Sequence, residues 1–268
     1  MSIDKEKELL LNTVVSKHDL RREIEDQYDD ENEYGEGYLE NILNDKFKIY
    51  KNLVDSFGKK VFDFNESTEV IKLNKNFKAK EEYLLCLSLM EKQEEGKRDQ
   101  MAKYFEEVVA ESLVSLFGSN STYELCDNSR NSSFSVEELA KKMQENFYRE
   151  LRNDKKIQEG DGSCDIVFWK RIDESPGLIS VLVQCKSGRN WKSGTPVADN
   201  VWSALISFTV KPMIAYAITD LLSIEEIRCQ SLRKGMIFDR ARIVRLLADS
   251  DNSKINTIRR NITSLDLD

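Results

Sequence analysis

The hydrophobic residues of this chain recur at two spacings, and the change between them predicts where helices and strands lie. Over the first hundred residues, a spacing of three and four positions predicts helices at 9–24, 38–57 and 81–92, with a short strand at Val61–Phe64. The same spacing continues in a helix from Asp99 to Phe117. Residues 1–95 are therefore predicted to form a helical region.

A β-hairpin is predicted where the spacing changes to two. Gly160–Trp169 and Leu178–Gly188 are rich in β-branched and aromatic residues, and the intervening Glu174–Gly177 supplies turn residues. Because side chains alternate along a strand, Gln184 and Lys186 fall on the same face of the second strand. An amide and an ammonium group are thus predicted to lie side by side.

After the hairpin, the pattern alternates between helix and strand. Thr195 and Pro196 suit the cap and first position of a helix. The later pattern predicts a strand at 212–219, a helix at 224–235, a short strand at 236–238 and a helix at 239–247. Residues 96–268 are therefore predicted to form an α/β domain in which helices flank a mixed sheet.

The composition fits a globular protein without a membrane span. The chain has 268 residues, of which 40% are hydrophobic, so it can bury a substantial core. No apolar run approaches the ~20 residues needed to cross a bilayer, and the polar start Met1–Glu6 lacks the apolar segment of a signal peptide. We expect a cytoplasmic protein that does not associate with membranes.

The histidine and cysteine content excludes several enzyme classes. The chain has a single histidine, His18, and its 5 cysteines are scattered without a Cys-x-x-Cys pair. Zinc sites, a disulfide framework, Ser-His-Asp hydrolases and nucleases with paired histidines do not fit this composition. A site built from a carboxylate, an amide and a lysine does.

The charge is unevenly distributed. The formal net charge of −8 is unlike that of proteins held to nucleic acid by bulk electrostatics. However, residues 1–100 carry 17 basic and 24 acidic residues, whereas residues 161–268 carry 15 and 13. The acidic N-terminal helices are therefore predicted to contact a partner protein or a second protomer rather than DNA.

The hairpin carries residue types that suit phosphodiester hydrolysis. Mg²⁺ prefers oxygen ligands, which the Asp165 carboxylate, the Gln184 side-chain carbonyl and the Cys185 backbone carbonyl can supply. Lys186 can orient or deprotonate the attacking water and offset charge that develops on the phosphate.

These residues resemble a known active-site signature. Asp165 and Gln184-Cys185-Lys186 on neighbouring strands, preceded by a helix that bears Glu106, are similar to the motif of the PD-(D/E)xK nuclease superfamily in its Mrr-like variant, Asp…Gln-x-Lys. The resemblance covers residues 97–247. No proline precedes Asp165, and Gln184 stands where an acidic residue is commoner, which lowers the negative charge offered to a metal.

The resemblance implies a restriction-endonuclease-like fold and a Mg²⁺-dependent DNA endonuclease in which Mn²⁺ can substitute. It also implies a role in restriction or other defence against foreign DNA. The implied catalytic residues are Glu106, Asp165, Gln184 and Lys186, and the implied metal ligands are Asp165, Gln184, Glu106 and the carbonyl of Cys185. Helical geometry places Glu106 at the border of the apolar helix face and points Glu107, the alternative to Glu106, and Glu111 more nearly to solvent.

Contacts to nucleic acid are predicted from the residues that follow the second strand. Arg189, Trp191 and Lys192 are placed to meet the phosphate backbone, with Trp191 against a sugar or base, and Arg240 is a further basic candidate. Trp191 fits a core or lid aromatic equally well.

Two other functions remain open on the sequence. The chain could keep the nuclease fold as a non-catalytic binding or assembly subunit, or it could use the same site on RNA or in repair. The target sequence stays undetermined, because grooves and loops set specificity.

Overall fold

The chain divides into two compact units of mixed α/β structure. The computed structural model describes residues 6–7, 9–10, 14–27, 36–91, 95–126, 135–148 and 163–267. The first unit comprises Met1–Lys80 and Leu247–Asp251, and the second comprises Glu81–Leu246 and Asn252–Asp268. The division predicted from the sequence, after residue 95, lies later than the observed one.

The first unit contains a three-stranded sheet as well as helices. Its elements are β1 (Val14–Ser16), α1 (Lys17–Gln27), α2 (Glu36–Phe57), β2 (Phe62–Asn65) and β3 (Val70–Leu73). The strands are antiparallel in the order β1-β3-β2. The prediction of one helix across 9–24 is wrong, because β1 pairs with β3 in its middle; the helix at 38–57 and the short strand are confirmed.

Most of the apolar stripe on α2 is buried. Leu43, Phe47, Tyr50 and Leu53 are all buried, and the Phe47 ring lies 6.1 Å from the ring of Phe64 on β2. This stripe therefore does not need a second protomer to cover it.

The chain returns to the first unit near its C-terminal end. The Lys78 N–H donates to the Ala248 carbonyl at 2.9 Å. Lys60 pairs with Asp249 and Lys78 with Asp251, each at 2.5 Å. The first unit is thus built from two segments that lie far apart in the sequence.

The second unit is built around a five-stranded mixed sheet. Its helices are α3 (Lys80–Met90), α4 (Glu95–Phe117), α5 (Val136–Met143), α6 (Asp199–Leu205), α7 (Ile224–Lys234), α8 (Arg240–Leu247) and α9 (Ser253–Thr263). Its strands are β4 (Ser121–Leu125), β5 (Asn146–Phe147), β6 (Ile166–Lys170), β7 (Ile179–Lys186), β8 (Ile206–Ser207), β9 (Met213–Ile218) and β10 (Met236–Phe238). The large sheet has the order β10-β9-β7-β6-β4, and β5 pairs with β8 separately.

The central strand β7 joins the antiparallel and parallel halves of this sheet. It pairs antiparallel with β6 and parallel with β9, where Gln184 lies opposite Tyr216 and Lys186 opposite Ile218. A parallel pair requires a crossover, which here contains a 3₁₀ turn at Arg189–Ser193 and helix α6. The predicted hairpin and mixed sheet are confirmed.

Both faces of β7 are covered, which explains its nearly continuous apolar sequence. Phe117 of α4 packs on Phe168 of β6 with ring centroids 5.0 Å apart. Leu182 of β7 belongs to a separate cluster with Trp202 of α6. Gln184 is therefore a polar residue in a buried strand.

The strands and helices predicted at 212–247 are confirmed, whereas α9 was not predicted and Ile206 lies in strand β8 rather than in the preceding helix. A capping box formed by Ser223 and Glu226 starts α7, and Gly235 ends it. The predicted start at Thr195 and Pro196 is wrong, because α6 begins at Asp199 after Ala198. Within the described residues, none of the helices combines the length and apolar character that crossing a bilayer requires.

Candidate active site

Four residues from the two strands of the hairpin meet at one end of β7. Asp165 lies directly before β6, where its N–H donates to the Val183 carbonyl at 2.8 Å. The Asp165 Oδ2 accepts hydrogen bonds from the Cys185 N–H at 2.6 Å and from the Gln184 Nε2. We call Asp165, Gln184, Cys185 and Lys186 the Asp165 cluster.

The Gln184 amide is buried and only partly satisfied. Gln184 is only 3% exposed, and its Nε2 donates to both the Asp165 Oδ2 and the Cys185 carbonyl, the latter at 3.2 Å. Its Oε1 is buried and has no hydrogen-bond partner among the described residues. Turning the amide over would place the oxygen against two acceptors, so the orientation follows from the hydrogen bonds.

This arrangement fits a divalent cation. The amide hydrogens of Gln184 point at two oxygens, those of Asp165 and Cys185, which are the ligand types that Mg²⁺ prefers. A cation could replace those hydrogens, and rotation of the amide would then turn the unpartnered Oε1 towards it. Among the described residues no three His, Cys, Asp or Glu side chains group as metal ligands, so amide and backbone oxygens would have to contribute.

Glu106 and Glu107 of α4 lie in different surroundings. Burial raises the pKa of the Cys185 thiol, and the charges of Asp165 and then Glu106 raise it further, while Lys186 lowers it. Glu106 is thus close enough to the Cys185 thiol for its charge to act there. Burial also raises the pKa of Glu107, but the charges that act on it are those of Lys254 and Glu111.

Lys186 is half-buried, and its surroundings include residues that are distant from it in the sequence. A Cβ on Gly194 would lie 3.3 Å from its Cε. Lys234 of α7 is close enough for the charge of Lys186 to lower its pKa, after the larger effect of burial. No sequence signal linked Lys234 to the hairpin, since the two are 48 positions apart and only the fold brings them together.

Arg98 also lies near the cluster, although no sequence pattern pointed to it. It lies on α4, and its Nη2 donates to the Ser187 carbonyl at 3.4 Å. A Cβ on Gly188 would lie 2.6 Å from this Nη2, and Gly188 has φ +111°, so a glycine is required there. Because Arg98 and Glu106 are eight residues apart, they lie on one face of α4.

The residues predicted to contact nucleic acid do not all reach the surface. Trp191 is 2% exposed and donates its Nε1–H to Asp220 at 3.0 Å, so it is a core aromatic rather than a base contact. Arg240 is 2% exposed and donates to the Thr219 carbonyl at 2.9 Å, so that prediction is wrong. Lys192 is exposed and pairs with Glu226 at 3.4 Å. The Arg189 side chain lies outside the described residues.

A second polar group, which we call the Glu111 cluster, comprises Glu107, Glu111, Tyr123, Asn252 and Lys254. Glu111 is 4% exposed, so the prediction that it points towards solvent is wrong. It accepts hydrogen bonds from the Tyr123 hydroxyl at 3.0 Å and from Asn252 at 3.3 Å, and it pairs with Lys254 at 3.7 Å. These partners come from β4 and α9, which α4 alone could not reveal.

Comparison with known proteins adds no further constraint on this site. No protein-family model, curated protein or solved structure matches the chain. The interpretation of the Asp165 cluster therefore depends on its own geometry.

Proposed function

We propose that this chain is a metal-dependent endonuclease of the PD-(D/E)xK type, in its Mrr-like variant, that hydrolyses DNA phosphodiester bonds. The observation that carries the proposal is the buried Gln184 Oε1, which has no hydrogen-bond partner among the described residues and lies beside Asp165 and Cys185. An unpartnered buried oxygen costs about 1–3 kcal/mol, so its retention favours a ligand that completes it. Defence against foreign DNA is part of the proposal through the sequence resemblance alone.

The residues of the cluster have separate proposed roles. Asp165, the Gln184 Oε1 and the Cys185 carbonyl would hold Mg²⁺ or Mn²⁺, with Glu106 beside them. A bound cation supplies Lewis-acid chemistry and lowers the pKa of a water that it holds. Lys186 orients the attacking water and offsets the negative charge that develops on the phosphate.

Basic side chains near the cluster are available for the phosphate backbone. Lys192 is exposed on the turn that follows β7, and Arg98 is exposed beside Gly188. Phosphate contacts of this kind position a duplex without reading its sequence. With Trp191 and Arg240 buried, Lys192 and Arg98 are the candidates for this role.

The test is cleavage of plasmid DNA by purified protein with Mg²⁺, with Mn²⁺ and with EDTA. We expect metal-dependent cleavage by the wild type and, in single-turnover assays, a loss of ~100-fold or more in Lys186→Ala, because one transition-state stabiliser is worth about 3 kcal/mol. Lys211→Ala is the matched control, since Lys211 is exposed and precedes β9 at the opposite end of β7 from Lys186. Equal rates for wild type and Lys186→Ala would refute the catalytic assignment.

Single-stranded RNA and DNA in the same assay separate the closest alternatives. Metal-dependent cleavage of RNA only would make the chain a ribonuclease with the same site. Binding of DNA without cleavage under every metal condition would favour a non-catalytic subunit.

A further inference from the structure

Lys234 is a buried lysine whose hydrogen-bonding capacity is fully used. It is the last residue of α7 and is 5% exposed. Its Nζ donates to the carbonyls of Trp191 at 3.1 Å, Lys192 at 3.2 Å and Gly194 at 2.6 Å. An ammonium group has three donors, so Lys234 has none left for a phosphate or a water.

The three carbonyls belong to the turn that follows the strand of the candidate site. This turn spans Arg189–Ser193 and ends at Gly194, directly after β7. Tyr216 binds the same turn, since its hydroxyl donates to the Trp191 carbonyl at 2.9 Å and the Lys234 ammonium lies 4.2 Å from its ring centre. Lys234 and Tyr216 thus hold one turn from two elements, α7 and β9.

The same turn also lies next to Lys186. A Cβ on Gly194 would lie 2.2 Å from the Tyr216 hydroxyl and 3.3 Å from the Lys186 Cε. The backbone of Gly194 is ordinary, with φ −66° and ψ 143°, so the constraint at this position is space. Any residue larger than glycine would press on both Tyr216 and the Lys186 side chain.

We infer that Lys234 is a positioning residue of the site: by gathering the carbonyls of Trp191, Lys192 and Gly194, it holds the turn against Lys186 and fixes where the Lys186 ammonium lies. A buried lysine is costly unless it is paired or fully hydrogen-bonded, and here all three donors of Lys234 are used on the backbone of one turn. This inference rests on the proposed function for its catalytic consequence, but the placement of Lys186 can be measured independently.

The experiment compares three variants of the full-length protein. Lys234→Met removes the donors and keeps the apolar stem, and Gly194→Ala disturbs the same contact without changing any charge. Arg233→Met is the control, because Arg233 is the exposed neighbour on α7 and carries the same charge. Thermal melting confirms that each variant is folded.

Two readouts decide the inference. The first is the accessibility of this region: the rate at which an amine-reactive reagent acetylates Lys186, measured by mass spectrometry, and the rate at which trypsin cleaves the turn after Lys192. The second is the single-turnover rate of DNA cleavage with Mg²⁺, set against the DNA dissociation constant. We expect Lys234→Met and Gly194→Ala to change the labelling of Lys186, and Lys234→Met to accelerate cleavage of the turn.

The same two variants should lose about 10- to 100-fold in cleavage rate, as expected for a catalytic group displaced by about 1 Å, with little change in DNA affinity. Arg233→Met should match the wild type in every readout. Unchanged labelling of Lys186 in both variants would overturn the inference, and so would altered labelling with an unchanged cleavage rate. A wild type that cleaves nothing would refute the proposed function, while altered labelling would still support the positioning of Lys186 by Lys234.

Discussion

The Asp165 cluster and the Glu111 cluster are both polar groups inside the second unit, but they differ in how their buried atoms are satisfied. Glu111 has a hydroxyl, an amide and an ammonium as partners, and the cluster borders a cavity of about 450 Å³. In the Asp165 cluster, the buried Gln184 Oε1 lacks a hydrogen-bond partner among the described residues. The neighbouring cavity favours the Glu111 cluster as a ligand site, whereas the unsatisfied Gln184 Oε1 favours the Asp165 cluster.

Glu82 of α3 shows why the chemical type of the unpartnered atom matters. Its Oε1 accepts from Arg259 at 2.8 Å, but its buried Oε2 has no hydrogen-bond partner among the described residues. Burial raises the pKa of Glu82 to about 7, against the opposing charge of Arg259. A carboxyl oxygen can therefore be satisfied by a proton, but an amide oxygen such as Gln184 Oε1 cannot.

The strongest test of this difference replaces a carboxylate by its amide in each cluster. Asp165→Asn should weaken Mg²⁺ binding and cleavage by roughly 100-fold or more, because loss of even an outer-shell partner costs about 10- to 100-fold in metal affinity. Glu111→Gln should leave Mg²⁺ binding unchanged. Isothermal calorimetry with Mg²⁺ measures both, and equal affinities for Asp165→Asn and wild type would exclude Asp165 as a ligand.

The Glu82 carboxyl should give a pH dependence of stability. Its pKa in the folded protein, about 7, lies above the ordinary value of 4.5. The stabilisation that the protonated carboxyl gives the folded state is therefore complete below pH 4.5 and is lost as the pH rises through 7. Relative to Glu82→Gln, the wild type should lose up to about 3 kcal/mol of unfolding free energy between pH 4.5 and 8. Urea unfolding at several pH values tests this, and a relative gain with rising pH would mean that pairing with Arg259 outweighs burial.

Glu111→Gln should reduce stability rather than activity. The amide keeps one acceptor oxygen but loses the charge that pairs with Lys254, so we expect a loss of about 1–2 kcal/mol. Tryptophan fluorescence in urea is a suitable measure, since Trp169, Trp191 and Trp202 all belong to the second unit. Lost cleavage with unchanged stability would make the Glu111 cluster functional and reverse the comparison.

The smallest effect is expected at Arg98. Arg98→Ala should weaken DNA binding equally for all sequences and lower the slope of log affinity against log salt by about 1. A salt titration of DNA binding measures this, with Lys211→Ala as the charge-matched control. A slope that changes equally in both variants would show that only net charge matters.

The sequence was most informative where the fold depends on local pattern. The hairpin of β6 and β7 follows from alternation around Glu174–Gly177, and α7 follows from its cap at Ser223 and its end at Gly235. It was least informative where long-range pairing decides. The three-residue strand β1 lies within a helical pattern and exists because Val15 pairs with Ile71 of β3.

The candidate site was predictable only in its residues on the hairpin. Strand alternation placed Gln184 beside Lys186. It could not show that the amide would be buried or that its Oε1 would lack a hydrogen-bond partner among the described residues. The failures at Trp191 and Arg240 have one cause, because a residue's exposure depends on partners such as Asp220 and Thr219 that are distant in sequence. The position of Lys234 beside Lys186 could not be predicted for the same reason.

The return of the chain to the first unit affects how the protein is made. Nascent chains generally fold from the N-terminal end during synthesis. Here Ala248, Asp249 and Asp251 complete hydrogen bonds and ion pairs with Lys60 and Lys78. On the ribosome, the unit that begins first must therefore wait for residue 251 before it is finished, when almost the whole second unit has already been translated.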